Sequence, residues 1–212
     1  MKPVSISTAF AGVGDRLKAP AAARNMEAIC DLLQEVAPAS GNALELASGT
    51  GEHVTRFAAL LPGLNWQSSD VDATRRASAD AYAKDAGVGN LAPAIDLDAT
   101  ASGWGATHAG RSLIFLSNLL HLITDAQAQT LICEAAIALN RGGRLVIYGP
   151  FMRGGELTSD GDISFHQSLK ARDPLIGYKD DFDVMDMMQE TGLDMVDVIE
   201  MPANNLVLVA EK

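Results

Sequence analysis

The sequence predicts an α/β fold: a mostly parallel, seven-stranded sheet covered by helices on both faces and closed by an antiparallel C-terminal hairpin strand. Three observations carry this. Short apolar runs alternate with helix-forming segments from Asn42 to Pro150. One of these, "ALELASGTGEHV" (Ala43 to Val54), runs through a glycine turn straight into a helix start. The chain ends on two β-like runs separated by "MPAN", which reads as a hairpin.

Residues 1–18, rich in small side chains, predict a flexible arm ahead of a single domain spanning 19–212. In "APAAARNMEAICDLLQEVAP" the spacing of Met26, Ile29, Leu32, Leu33 and Val36 predicts a helix, which Pro38 and Gly41 stop. "NALELA" is a buried strand and "EHVTRFAALL" a helix ended by "PGLN". "NWQSSD" is a second strand, followed by a helix from "ATRRASADAYAKDA"; "LAPAIDLD" is a weak third strand. "RSLIFLSNLLHLI" begins as a fourth strand, "DAQAQTLICEAAIALN" is a helix, and "RLVIYGPF" is a fifth strand. Residues 152–180 form a polar insert with amphipathic helical character in "ISFHQSLKARDPL", which predicts a lid over the carboxyl end of the sheet. A last helix, "DFDVMDMMQETG", precedes the hairpin.

The net charge of −11, with no basic run, argues against a nucleic-acid or membrane-surface partner and leaves a small molecule as the expected one. No apolar stretch approaches the ~18 residues of a membrane span. Cys30 and Cys133 have no metal or redox spacing, His108 and His166 no ligand spacing, so no metal is expected and the protein reads as cytoplasmic. Monomer and homodimer both remain open.

The glycine turn carries the chemistry. Gly49 and Gly51 let a ligand approach the backbone at a helix N-terminus. In a dinucleotide site a third small residue would stand where this chain has Val54, while an acid about twenty residues on would hold the ribose; Asp70 is in that place. Glu45, at the tip of the first strand, is poorly placed beside a pyrophosphate. It suits S-adenosylmethionine (SAM), which has a sulfonium, an ammonium and no phosphate. An acid before a Gly-x-Gly turn, then an acid ending the second strand, is the pattern of class I methyltransferases. An NAD(P)-dependent oxidoreductase and a non-catalytic SAM sensor are the alternatives.

The segments "APAAARN", "LELASGTGEH", "NWQSSDVD", "YGPF", "SLKARDP" and "MPANNLVLV" resemble the class I methyltransferase-like family catalogued as domain of unknown function 938 (DUF938). The resemblance runs from about Ala19 to Lys212. It implies the Rossmann-like SAM-binding fold and SAM as cofactor, and it accounts for Ala47, since the family has Ala-Ser-Gly-Thr-Gly in this loop. It supplies no reaction. The chain departs from the family at Ile176, where a tryptophan is usual.

The cofactor candidates are Arg24, Asn25, Glu45, Ala47, Gly49, Gly51, Asp70, Asp96, Leu97 and Asn118. Asp70 is assigned to the ribose, Asp96 with Leu97 to the adenine end, and Arg24 and Asn25 to closing over the ligand. His121, just past the fourth strand, is the candidate general base. Tyr148, Phe151, Phe165, Arg172 and Asp173 are candidates for the acceptor pocket. Methyl transfer from a sulfonium is chiefly a matter of positioning and excluding water, so the lack of an evident catalytic triad does not argue against an enzyme.

Overall fold

The computed structural model describes residues 9–212. Two short strands, β1 (Phe10–Ala11) and β2 (Leu17–Lys18), pair antiparallel. Helix α1 (Pro20–Val36) follows, with proline at its start, where a missing N–H costs nothing. Then come β3 (Gly41–Leu46), α2 (Glu52–Leu60), β4 (Leu64–Ser69), α3 (Ala73–Ala86), β5 (Leu91–Ile95) and the short α4 (Trp104–Thr107). Next are β6 (Arg111–Ser117), α5 (Asp125–Ala138) and the long β7 (Leu139–Met152). The chain closes with α6 (Asp160–Arg172), β8 (Lys179–Asp180), α7 (Asp181–Glu190), β9 (Asp194–Met201) and β10 (Asn205–Glu211).

Local chemistry sets several boundaries. The Asp72 carboxylate accepts from Thr74 and Arg75 N–H and caps α3. Thr124 and Gln127 form a reciprocal capping box at α5. Gly87, in the left-handed region at φ 64°, ends α3.

Seven strands run in the order β5-β4-β3-β6-β7-β10-β9, and β8 adds two residues beside the end of β7. Strands β3 to β7 are parallel; β10 is antiparallel to both β7 and β9, as the hairpin predicts. The apolar run of β6 explains the layering: Leu113 and Phe115 face a core built with α1 and α2, and Ile114 and Leu116 one built with α5 and α7. The strand order reverses between β3 and β6, so a crevice opens at their carboxyl ends.

The predicted arm needs correction. Residues 1–8 lie outside the described residues, but residues 10–18 are held on α3. Leu17 N–H donates to Ser78 Oγ (2.8 Å), its carbonyl accepts from the Tyr82 hydroxyl (3.0 Å), and Arg16 pairs with Asp85 (3.1 Å). These partners are more than sixty residues away, beyond any local pattern. Among the described residues, no helix is long and apolar enough to cross a membrane.

Candidate functional site

The crevice is shaped by two strand ends forced into the left-handed backbone region. At the end of β3, Ala47 has φ 51°, Gly49 57° and Gly51 85°; past β6, Asn118 has φ 55°. For alanine this is a strained conformation, and such residues cluster where a ligand must be met. Ser48 holds the turn shut: its N–H donates to Ser69 O (2.7 Å), and its hydroxyl donates to Glu45 O (3.2 Å) and accepts from Ser69 N–H (3.1 Å). Glu52 accepts from the Thr50 hydroxyl (2.9 Å) and from Ala19 N–H (2.8 Å), tying the loop to the start of α1.

The two glycines have different tasks. A Cβ on Gly49 would meet nothing within 4 Å, so this position opens onto the crevice. A Cβ on Gly51 would collide with the backbone of Ala79 in α3. Gly51 therefore serves helix packing rather than ligand contact. Val54 is fully buried in the core, which fills the place of a third loop glycine.

A cavity of about 770 Å³ lies against this loop, within the range of small-molecule sites. Of the residues expected at the site, Arg24, Asn25, Ala47, Gly49, Asn118, His121, Tyr148 and Phe165 line it. Glu45, Gly51, Asp70, Asp96, Leu97, Phe151, Arg172 and Asp173 do not. Glu45 and Asp70 are buried just behind the loop, Leu97 and Phe151 pack in the core, and Asp96 is exposed in an ion pair with Arg76 (3.3 Å). Arg172 is exposed on α6, and Asp173 is spent on a turn, accepting from Leu175 N–H (2.9 Å). The acceptor-pocket assignments of Phe151, Arg172 and Asp173 are thus not supported by their positions: Phe151 is packed in the core, Arg172 ends α6 on an exposed face, and Asp173 lies in the turn beyond it.

Asp70 organises rather than lines. One carboxylate oxygen accepts from Gly49 N–H (3.0 Å), the other from Asp72 N–H (2.9 Å), and Arg75 stands at 3.8 Å. Burial raises its proton affinity, and those N–H groups and the guanidinium pull against it. His53 is buried, stacked on Phe57, and joined to Asn25 at 2.9 Å; burial lowers its pKa to about 4.

His121 is buried in the 3-10 turn Leu120–Leu122, with Nδ1 unpartnered among the described residues. Burial first, and the nearby Lys179 ammonium second, lower its pKa to about 4. The ring is neutral at physiological pH, and an efficient general base needs a pKa nearer the working pH. The environment opposes the expected role of base.

The sequence gives little warning of several residues here. Arg75 and Tyr178 line the cavity. Asp162 accepts from Thr158, Ser159, Tyr178 and Asn204 side chains at 2.6–3.1 Å, pinning α6 to the hairpin turn. The Ser-x-x-Asp spacing of Ser159 and Asp162 is a capping signal; nothing local points to Tyr178 or Asn204 as its partners.

Glu45 makes a testable case. Its side chain is 2% exposed, Oε2 has no partner among the described residues, and burial raises its pKa to about 8 against a hydrogen bond from Ser48. The folded state then holds a proton that the unfolded chain releases near the ordinary carboxyl value of 4.5. Stability from this group is full below that value and is lost as pH rises through about 8, at about 1.4 kcal/mol per pH unit. Glu45→Gln should flatten the fall in melting temperature between about pH 6 and about pH 9. A variant as alkali-sensitive as the parent would show that Glu45 is already ionised.

Among solved structures, the chain is similar to an O-methyltransferase family protein from Burkholderia thailandensis (17% identity, TM-score 0.78, covering 91% of this chain and 57% of that one). It is also similar to an O-methyltransferase family 2 protein from Planctomyces limnophilus in complex with apigenin (20%, TM-score 0.75, 91% and 60%). A third is CalO1, a methyltransferase in calicheamicin biosynthesis, in its SAH-bound form (15%, TM-score 0.72, 90% and 54%). The chain thus spans under two thirds of the length of these proteins, and at such identities the likeness establishes the class I methyltransferase fold alone. A model of the family described as "Protein of unknown function (DUF938)" matches residues 16–212, and the chain belongs to that family.

Proposed function

We propose that the protein is a SAM-dependent methyltransferase with a small-molecule acceptor, its cofactor lying in the crevice at the ends of β3 and β6. The observation that carries this is the β3 loop: strained Ala47 and open Gly49 beside a cavity, with Gly49 N–H held by Asp70. The neighbours in the same fold, one SAH-bound and one with apigenin, support the reading.

The residues present fit the group. Gly49 leaves room for a ligand at the backbone, and the cationic rim at Arg24 suits the amino-acid carboxylate. Asp70, with carboxylate lone pairs beyond the two it uses, is assigned to the ribose, and Asp96 with Leu97 at the end of β5 to the adenine side. Asn25 and Asn118 offer amides to the amino-acid end. Bound SAM supplies a methyl group already activated on a sulfonium. The protein's share is to orient the acceptor and keep water out, which the 152–180 lid does by bringing α6 and Phe165 over the cavity. We place the protein in the cytoplasm, where its two free cysteines remain reduced.

Thermal shift with SAH, SAM and NAD(H) tests this, because a ligand bound only by the folded state raises the melting temperature. SAH at about 100 times its dissociation constant should stabilise by about 2.7 kcal/mol, and NAD(H) not at all. Stabilisation by NAD(H) without any by SAH would transfer the site to the oxidoreductase reading.

A further inference from the structure

Away from the β3 loop the cavity wall is aromatic. His121, Phe165 and Tyr178 form a triangle with ring centroids 5.6–6.2 Å apart, every pair tilted or edge-on. Phe165 reaches it from α6 and stays 40% exposed, an apolar face left open at the cavity. The charge there is inverted relative to the molecule. The chain carries −11 overall, yet among the described residues no aspartate or glutamate lines this cavity, whereas Arg24 and Arg75 do. The buried Lys179 ammonium, 3.0 Å from Asp125, is close enough to His121 to lower that ring's proton affinity.

Among the described residues, none of the titratable groups lining the cavity is free to take a proton. Guanidinium groups have none to accept. His53 Nε2 is engaged by Asn25, and the Tyr178 hydroxyl donates to Asp162 at 2.9 Å. The Tyr148 phenol is held protonated by burial, with Asn25 beside it. His121 Nδ1 reaches neither solvent nor a partner among the described residues. A buried orphan N–H is rarer and more costly than an orphan lone pair, which assigns the ring proton to Nε2 and makes that nitrogen a donor.

We propose that the acceptor is a planar aromatic molecule with an acidic O–H or S–H, methylated as its anion without a general base from the protein. This rests on the methyltransferase reading above. The acceptor's proton leaves to solvent. Its oxygen or sulfur lone pair forms the new bond to the methyl carbon, the carbon–sulfonium bond breaks, and that electron pair stays on sulfur as a neutral thioether. Cation and anion are consumed together, so charge balances. Arg24 and Arg75 on the cavity wall favour the anion, the aromatic triangle fixes its plane, and His121 Nε2–H hydrogen-bonds the reacting atom. A protonated amine would meet no carboxylate among the described lining residues.

The probes are 4-nitrophenol and 4-nitrothiophenol, whose anions have their own absorption bands, titrated into protein saturated with SAH. SAH binding by the parent is measured first; its absence overturns the methyltransferase reading, not this one alone. Given SAH binding, at least one probe should bind as the anion with its pKa lowered by about one unit or more, which also names the acceptor atom. Protonated 4-nitrobenzylamine should not compete. Phe165→Ala should weaken the bound probe about ten-fold and leave SAH affinity unchanged. His121→Gln keeps an N–H donor and should retain anion binding and methylation within about ten-fold, whereas loss of a general base would cost about 10²–10⁴-fold. A probe pKa unchanged or raised on binding, competition by the amine, or no binding of either probe to the SAH complex overturns the proposal.

Discussion

Gly51→Ala should destabilise the fold by about 3 kcal/mol, the largest effect expected of any single methyl added to the crevice loop. Two costs add. At φ 85° an L-residue is strained by about 1–2 kcal/mol. The new Cβ would also enter the backbone of Ala79, where overpacking costs about 1–3 kcal/mol. For a chain of 212 residues this corresponds to a melting temperature lowered by about 6–12 °C. Gly49→Ala is the matched control. It carries similar strain at φ 57° but no collision, so it should lose only about 1–2 kcal/mol. Its effect should fall instead on ligand affinity, since Gly49 faces the cavity and Gly51 does not. Melting curves with and without SAH separate the two, and equal losses in both variants would refute the division of tasks.

Asp70→Ala should weaken SAH binding by one to two decades or more and lower stability as well. The carboxylate holds the N–H groups of Gly49 and Asp72, binding the β3 loop to the end of β4. Hydrogen bonds to a charged group contribute about 1.5–3 kcal/mol each, and deletion takes the acceptor from both the half-buried Gly49 N–H and the Asp72 N–H. At about 1.4 kcal/mol per decade, disordering that loop accounts for the loss in affinity even before any contact to the ribose is counted. Asp72→Ala makes the comparison sharp: it removes only the α3 cap, costing about 1 kcal/mol, and should leave SAH affinity within a few-fold. Calorimetry on both variants decides between them. Full affinity in a folded Asp70→Ala protein would dismiss Asp70 from the site.

Much of the architecture is legible along the chain because its signals are local. The apolar runs at Ala43–Leu46 and Leu113–Leu116 are buried on both faces, and so lack alternation and read as parallel strands. "MPANN" reads as a turn, and Ala203 and Asn204 do take left-handed backbone there. The N-terminal hairpin and the short α4 escape such reading. Leu17 and Arg16 are held by Ser78, Tyr82 and Asp85, and α4 by Glu134, which accepts from Gly103 N–H at 2.7 Å and Gly105 N–H at 2.6 Å. In both cases the partner is remote in sequence.

At the crevice the division is finer. Residue type and spacing single out Glu45, Gly49, Gly51 and Asp70, because a tight strand-to-helix turn demands glycine and a polyhydroxyl ligand invites an acid. What each does depends on what folds against it. Ala79 makes Gly51 a packing residue, and burial, with Oε2 unpartnered among the described residues, raises the proton affinity of Glu45. His121 reads as a base in sequence, yet burial and Lys179 lower its proton affinity. The sequence by itself determined which backbone turns and which acids meet at one end of the sheet, since strand, turn and helix propensities act over a few residues. Only the tertiary structure decided their protonation and whether they face the cavity, because desolvation and steric contact are set by side chains brought together from far along the chain.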